Sequence, residues 1–327
     1  MQSSIPPGHD HFDWRLDGAF YYPYSAYLRN RFGGRVQRVS INAGFTCPNA
    51  DGTLAKGGCN FCNNPSFSPS RRTRRYEIRE QIDRGIEALK RRYSNIKGFI
   101  AYFQPATNTY ADVDHLRALY EESLSHPEVV GLAIGTRPDC VAEDVLDLIS
   151  ELAQQRYVSV EYGMQTIHAE SLDWMNRAHY HDSMIDAVER SRGRGFEISG
   201  HVILGIPRES HADMMETAEE VARLNLDAVK IHNLYAVKNT RLGDEVAAGE
   251  VQLMPRDEYV QTVVDFIERL PETMIIERVS GEAPPAYLIA PEWCLQKSSL
   301  RHAIEQEFKQ RGSRQGSRYV AAASSDG

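Results

Sequence analysis

Seven short runs rich in apolar and β-branched residues recur along the chain, separated by stretches with helical periodicity. The runs are VQRVSINA (36–43), GFIAYFQ (98–104), VVGLAIGT (129–136), YVSVEYGMQ (157–165), FEISGHVILG (196–205), DAVKIHNLYAV (227–237) and TMIIERVS (273–280). The helical stretches are 73–93, 113–125, 142–155, 169–192, 211–224 and 255–270. In 142–155, Val145, Leu146, Leu148, Ile149 and Leu152 fall on one apolar face. Several runs are apolar almost throughout, as strands covered on both faces require. Six βα units in a row predict an α/β fold with a parallel sheet and right-handed crossovers. The sheet is then an open or partial barrel, and ligands bind beyond the carboxyl ends of its strands.

The 327 residues suffice for one such barrel with short extensions. The expected division is an aromatic-rich N-terminal cap (1–35, with Phe20, Tyr21, Tyr22, Tyr24 and Tyr27), a core barrel (36–283) and a C-terminal extension (284–327) ending in a disordered tail from 312. No apolar stretch is long enough to span a membrane. The first residues lack the charge and apolar core of a secretion signal. A cytoplasmic protein with no membrane partner is expected. A net charge of −8 argues against a general nucleic-acid coat and leaves room for a local basic patch.

Three of the five cysteines fall within CPNADGTLAKGGCNFC, as Cys47, Cys59 and Cys62. The odd total argues against a disulfide framework and for ligands. The loop follows the first strand, which places it at the barrel mouth. Thiolates are ordinary iron–sulfur ligands, and three of them on four irons leave one iron open. Gly52, Gly57 and Gly58 let the loop turn tightly. Spacing alone also allows zinc. Cys140 and Cys294 are too few for a second cluster.

The loop, with Phe61 before its last cysteine, resembles the radical S-adenosylmethionine (SAM) superfamily. The phrases GFTCPNADGTLAKGGCNFCNNPSF, AYFQPATNTYA, GTRPDC, EYGMQTIHAESLDWMNRAH, HVILGIPRES, VKIHNLYAVKNT and APEWC run in order from Gly44 to Cys294. They resemble a bacterial radical SAM family related to the Elongator catalytic subunit and to oxygen-independent coproporphyrinogen III dehydrogenase. The resemblance implies a partial (β/α)6 TIM-like barrel. It also implies a [4Fe-4S] cluster on Cys47, Cys59 and Cys62, reductive cleavage of SAM to a 5′-deoxyadenosyl radical, and an external one-electron donor such as flavodoxin or ferredoxin. Many relatives carry Gly-Gly-Glu after the second strand, where this chain has Phe103-Gln104-Pro105, so Gln104 and backbone carbonyls are the expected contacts to the SAM amino group. Gln165 and Arg177 match a Gln and an Arg that serve the SAM site in coproporphyrinogen-type relatives. Gly205 to Pro207 resembles the stretch that approaches adenine. His201 stands where those relatives have an acid.

Other side chains carry paired readings. Glu161 shares a strand face with Gln165 and either binds ribose hydroxyls or joins a buried ion pair. Lys230 and His232 alternate on one strand and either contact SAM or substrate or satisfy each other. Cys140, after the third strand, is a hydrogen-atom donor or covalent anchor, or a small buried side chain. Arg137 and Asp139 bind substrate or pair with each other. Arg71, Arg72, Arg74 and Arg75 contact RNA phosphates or coat a solvated helix face. The leading expectation is a tRNA-modifying enzyme acting at a wobble uridine. A small metabolite or protein side chain as substrate is the alternative, and a non-enzymatic zinc-stabilised binding module is the third reading.

Overall fold

All seven runs form strands in the computed structural model, which describes residues 13–72 and 74–321. β1 (Arg35–Ile41), β2 (Ile96–Phe103), β3 (Val129–Thr136), β4 (Tyr157–Gln165), β5 (Glu197–Leu204) and β6 (Ala228–Asn233) pair in chain order, all parallel. β7 (Ala236–Val237) lies apart and pairs antiparallel with β9 (Leu288–Ala290). β8 (Ile275–Arg278) completes the parallel sheet beside β6. The sheet curls into a half-barrel, an α/β fold of the partial TIM-like type, with a seventh strand beyond the six expected βα units. No pairing joins β1 to β8. Helix α1 (Tyr24–Phe32) instead contacts both of them, and Ile276 N donates to Tyr22 O at 2.8 Å.

The helices in chain order are α2 (Asn64–Phe67), α3 (Ile78–Arg92), α4 (Val113–Leu124), α5 (Glu143–Ala153), α6 (Ala169–Trp174), α7 (His181–Ser191), α8 (His211–Arg223), α9 (Arg241–Ala247), α10 (Arg256–Glu268) and α11 (Lys297–Arg311). The two-residue period of each strand sorts its side chains. Val39, Ile41, Phe99, Phe103, Leu132, Ile134, Val158 and Val160 pack against helix residues such as Ile82, Leu146 and Ile149. The other phase faces inward, where Val36, Ile100, Ala133, Tyr157 and Ala228 meet Trp14, Tyr22, Tyr27 and Leu28. The aromatic segment, over 13–34, therefore packs into the open side of the half-barrel.

Some boundaries differ from expectation. The stretch 169–192 is two helices, because Asn176 and Ala178 adopt φ of 54° and 55° and end α6 in a turn. The helix expected at 73–93 begins at Ile78, which leaves Arg74 and Arg75 on a loop; Thr73 lies outside the described residues. Helix α11 adds an element to the C-terminal extension beyond the six expected helical stretches and buries Leu300, Ile304 and Phe308. The expected disorder from 312 does not extend over 312–319. Gln315 is fully buried there, with Nε2 donating to Pro271 O and Met274 O and Oε1 accepting from Tyr22 N. Residues 1–12 of the cap and 322–327 of the tail lie outside the described residues. Ser210 heads α8 with a reciprocal capping box to Asp213. No helix among the described residues is long and apolar enough to cross a membrane.

Candidate active site

A cavity of about 850 Å³ occupies the half-barrel and opens at the carboxyl ends of the strands. Cys47, Cys59 and Cys62 all line it. Their loop is shaped by left-handed glycines, Gly57 at φ 83° and Gly58 at φ 75°, and Gly58 N donates to Asn49 O at 2.9 Å. Asn49 is fully buried, and its Nδ2 donates to Cys59 Sγ at 3.4 Å. Arg177 Nη1 donates to the same sulfur at 3.3 Å. Its Nη2 reaches Gly163 O at 2.8 Å and His179 Nε2 at 2.8 Å. Burial first, then Arg177 and Arg137, pushes His179 down to about 3, so its neutral ring accepts from the guanidinium. The turn that breaks the 169–192 helix is what delivers Arg177 to the cysteine loop.

These donors suit a thiolate-bound cluster. Hydrogen bonds to ligand sulfur are a protein's means of tuning such a centre. Among the described residues, His168, Asp213 and Glu216 also bring three ligand atoms within 4.8 Å of one another, away from the cavity.

Below the loop the inward phase turns polar. Glu161 is 1% exposed. Its Oε2 accepts from Tyr102 Oη at 2.6 Å and His201 Nε2 at 2.8 Å, and it pairs with Lys230 Nζ. Its Oε1 faces Arg38 Nη1 at 2.9 Å. Arg38 Nη2 meets Glu277 Oε2 at 2.6 Å, and Lys230 lies 3.5 Å from the same carboxylate. Two cations thus balance two carboxylates, and the guanidinium and ammonium sit against the Tyr102 ring. Burial works to raise the Glu161 carboxyl, but Lys230 and Arg38 outweigh it and hold it well below the usual range. Burial lowers Lys230, against the pull of Glu161 and Glu277. Burial also depresses His201, aided by Lys230, and His232, aided by Arg278 and His201.

The cavity collects most of the sequence candidates: Gln104, Glu161, Gln165, Arg177, His201, Lys230 and His232 all line it. Glu161 is an ion-pair member here, with both oxygens engaged. Lys230 pairs with carboxylates, not with His232. Gln104 Nε2 donates to Phe67 O at 3.2 Å. Gln165 faces the cavity at φ 70°, just after a register shift in β4. Gly205 is buried and Pro207 exposed, and neither lines the cavity. Cys140 also stands outside the lining. Burial, then Asp139, pushes its thiol up to about 12, so it is not a ready nucleophile. Arg137 and Asp139 pair with each other at 2.8 Å, and Arg137 Nη1 also donates to Arg177 O at 2.9 Å. Cys294 is buried in a turn before α11.

Arg71 donates to Phe45 O and Arg72 to Pro65 O, so both brace the cysteine loop's surroundings. Arg72, Arg74 and Arg75 are exposed, and none of Arg71, Arg72, Arg74 and Arg75 has a carboxylate partner among the described residues. The nearby acids Glu80 and Glu87 pair instead with Arg84 and Arg91.

Sequence reasoning overlooked Arg38, Tyr102, Glu277 and Gly163. The first two were legible in principle, since each breaks or interrupts an apolar run in the inward phase. Gly163 was not: a Cβ there would lie 2.8 Å from Gln165 Nε2 and 3.1 Å from Arg177 Nη2.

Residues 52–221 match the Radical SAM superfamily model, and residues 226–310 match the Radical_SAM C-terminal domain. The chain is 38% identical to YtqA of Bacillus subtilis over 296 residues, 90% of this chain and 92% of that one. It is 25% identical to a tRNA uridine(34) acetyltransferase of Methanocaldococcus jannaschii over 56% of this chain and 33% of that protein. The Elp3 structure of Methanocaldococcus infernus superposes with a TM-score of 0.64 at 17% identity, covering 86% of this chain and 64% of that one.

Proposed function

Since the chain belongs to the radical SAM superfamily and is a radical SAM enzyme, we propose that Cys47, Cys59 and Cys62 hold a [4Fe-4S] cluster, with SAM beneath it. The observation that carries this reading is three thiols on one cavity wall, with Arg177 and Asn49 both donating to Cys59 sulfur. When bound, the two groups supply the family's reductive cleavage of SAM and hydrogen abstraction, driven by an external one-electron donor such as flavodoxin or ferredoxin. The chain's own residues hold and orient. Arg177 offsets thiolate charge through a charge-assisted hydrogen bond. Gln104 and Gln165 offer amide groups to the polar end of SAM, and the Gly205–Pro207 segment follows directly on β5. The balanced Arg38–Glu161–Lys230–Glu277 set fixes the floor and presents His201 as a neutral hydrogen-bonding group. His232 joins it on the same wall.

For the substrate we infer a tRNA, modified at a wobble uridine. Support comes from Arg71, Arg72, Arg74 and Arg75, which have no carboxylate partner among the described residues, and from likeness to a protein named as a tRNA uridine(34) acetyltransferase. A small metabolite is the second reading, favoured by the net charge of −8. The family assignment sets aside the zinc-stabilised binding module.

Two measurements test the proposal. Iron and sulfide analysis of reconstituted protein should find about four of each per chain, lost in Cys47→Ala, Cys59→Ala and Cys62→Ala and kept in Cys294→Ala. A full complement in Cys59→Ala would remove the cluster assignment. Nucleoside profiling of tRNA from a deletion strain should lack one modified uridine. An intact profile beside an altered metabolite profile would favour the second reading.

A further inference from the structure

The interior cations described so far are all engaged: Arg38 and Lys230 by carboxylates, Arg137 by Asp139, Arg177 by a sulfur, a carbonyl and a histidine. Arg278 is different. It ends β8, lines the same cavity and is half-buried. Among the described residues no carboxylate lies within 4.0 Å of it and no hydrogen bond engages its five donors. Its five donors are therefore free for an acceptor that enters the cavity.

Its surroundings are rich in donors and poor in free acids. Tyr235, Ser280, Lys297 and Arg301 line the cavity with it, as does His232. The nearby carboxylates are engaged elsewhere: Glu277 with Arg38, Glu282 with Lys297, Glu305 with Arg301. Tyr235 makes no hydrogen bond among the described residues. Burial pushes its hydroxyl up to about 12, with Arg278 pulling it back, so it stays a donor at neutral pH. Tyr235, Arg278 and Cys62 all line this one cavity. Gly281 seats the two rings: a Cβ there would lie 2.9 Å from Tyr235 Cε1 and 3.0 Å from His232 Nδ1.

We propose that Arg278 and Tyr235 form an oxyanion subsite that anchors a phosphate or carboxylate of the substrate within reach of the radical centre. This rests on the reading of the cavity as the place where substrate reacts, and not on the identity of that substrate. A guanidinium offers two parallel N–H groups to either oxyanion, and the phenol supplies a third donor.

The test uses the full reconstituted chain with SAM bound, inorganic phosphate and succinate as probes, and calorimetric titration at near-neutral pH. Saturable binding of at least one probe is expected. Arg278→Ala should weaken it tenfold or more, Arg278→Lys by roughly threefold, and Tyr235→Phe by a few-fold. Arg91→Gln, altered on an exposed helix outside the cavity, should bind the probes like wild type. SAM affinity should be equal in wild type and Arg278→Ala. Phosphate preferred over succinate points to a phosphorylated substrate, and the reverse to a carboxylate; either supports the subsite. The proposal is overturned if neither probe binds saturably, if Arg278→Ala binds both like wild type, or if it loses SAM affinity instead. Arg278→Lys keeps the test open should the alanine variant fail to fold. An unaltered tRNA profile in the deletion strain would remove the tRNA reading without touching this result.

Discussion

Replacing Glu161 by Gln strikes the most heavily coordinated group in the barrel. The carboxylate faces Arg38, Lys230, Tyr102 and His201 with no solvent exposure of its side chain. The substitution keeps one acceptor oxygen and removes the charge, so Arg38 and Lys230 are left to share Glu277. Breaking one member of a buried ion set typically costs about 3–5 kcal/mol. The retained amide oxygen puts the expectation near the lower end, about 3 kcal/mol. Glu161→Gln combined with Lys230→Met restores the charge balance and should cost less than the two single changes summed, by about 1 kcal/mol or more. Urea denaturation of the cluster-free chain, followed by both circular dichroism and tryptophan fluorescence, measures this, and coincident transitions license the two-state treatment. A cost for Glu161→Gln below about 1 kcal/mol, or strict additivity with Lys230→Met, would refute the view that these charges act as one set.

Gly163→Ala should leave iron content intact while displacing the Arg177 guanidinium. With a charged hydrogen bond worth about 1.5–3 kcal/mol, SAM affinity should fall roughly tenfold and the paramagnetic resonance spectrum of the reduced cluster should shift; unchanged values for both would detach Arg177 from the site. Acid should destabilise the fold. His179, held at about 3, and His201 and His232, also lowered, regain protons on unfolding. The unfolded chain therefore binds more protons below about pH 6.5, and stability should drop by about 1.4 kcal/mol per pH unit per histidine. Glu161, whose folded value is depressed, adds a further loss only below its unfolded value of about 4.3. Urea midpoints from neutral pH downward check this, and His179→Asn should flatten the slope; a pH-independent midpoint contradicts the buried neutral rings. Changing Arg71, Arg72, Arg74 and Arg75 together to Gln should weaken tRNA binding and flatten its salt slope by up to about 3 units, as read by filter binding; an unaltered slope places RNA recognition elsewhere.

The alternation of apolar runs with helical stretches determined the parallel half-barrel, because a strand buried on both faces and an amphipathic helix leave distinct periods in the sequence. The three-cysteine loop, its glycines and the ordered phrases from Gly44 to Cys294 determined the superfamily, since loop chemistry of that kind is local. Arg177 was reachable by the same route.

Three-dimensional packing decided the rest. Arg38, Glu161, Lys230 and Glu277 stand on four different strands, up to 239 positions apart, and only the curl of the sheet makes them one charge-balanced set. The break in 169–192 that brings Arg177 to Cys59 depends on left-handed residues in a turn that helical periodicity passes over. Gly163 looks like any strand glycine until Arg177 is seen to cross above it. Whether an inward-facing ion is paired or left waiting for a ligand depends on which partners the neighbouring strands carry, and that information is spread along the whole chain. Arg38 and Arg278 look alike in the sequence; among the described residues the fold supplies carboxylates to the first and none to the second.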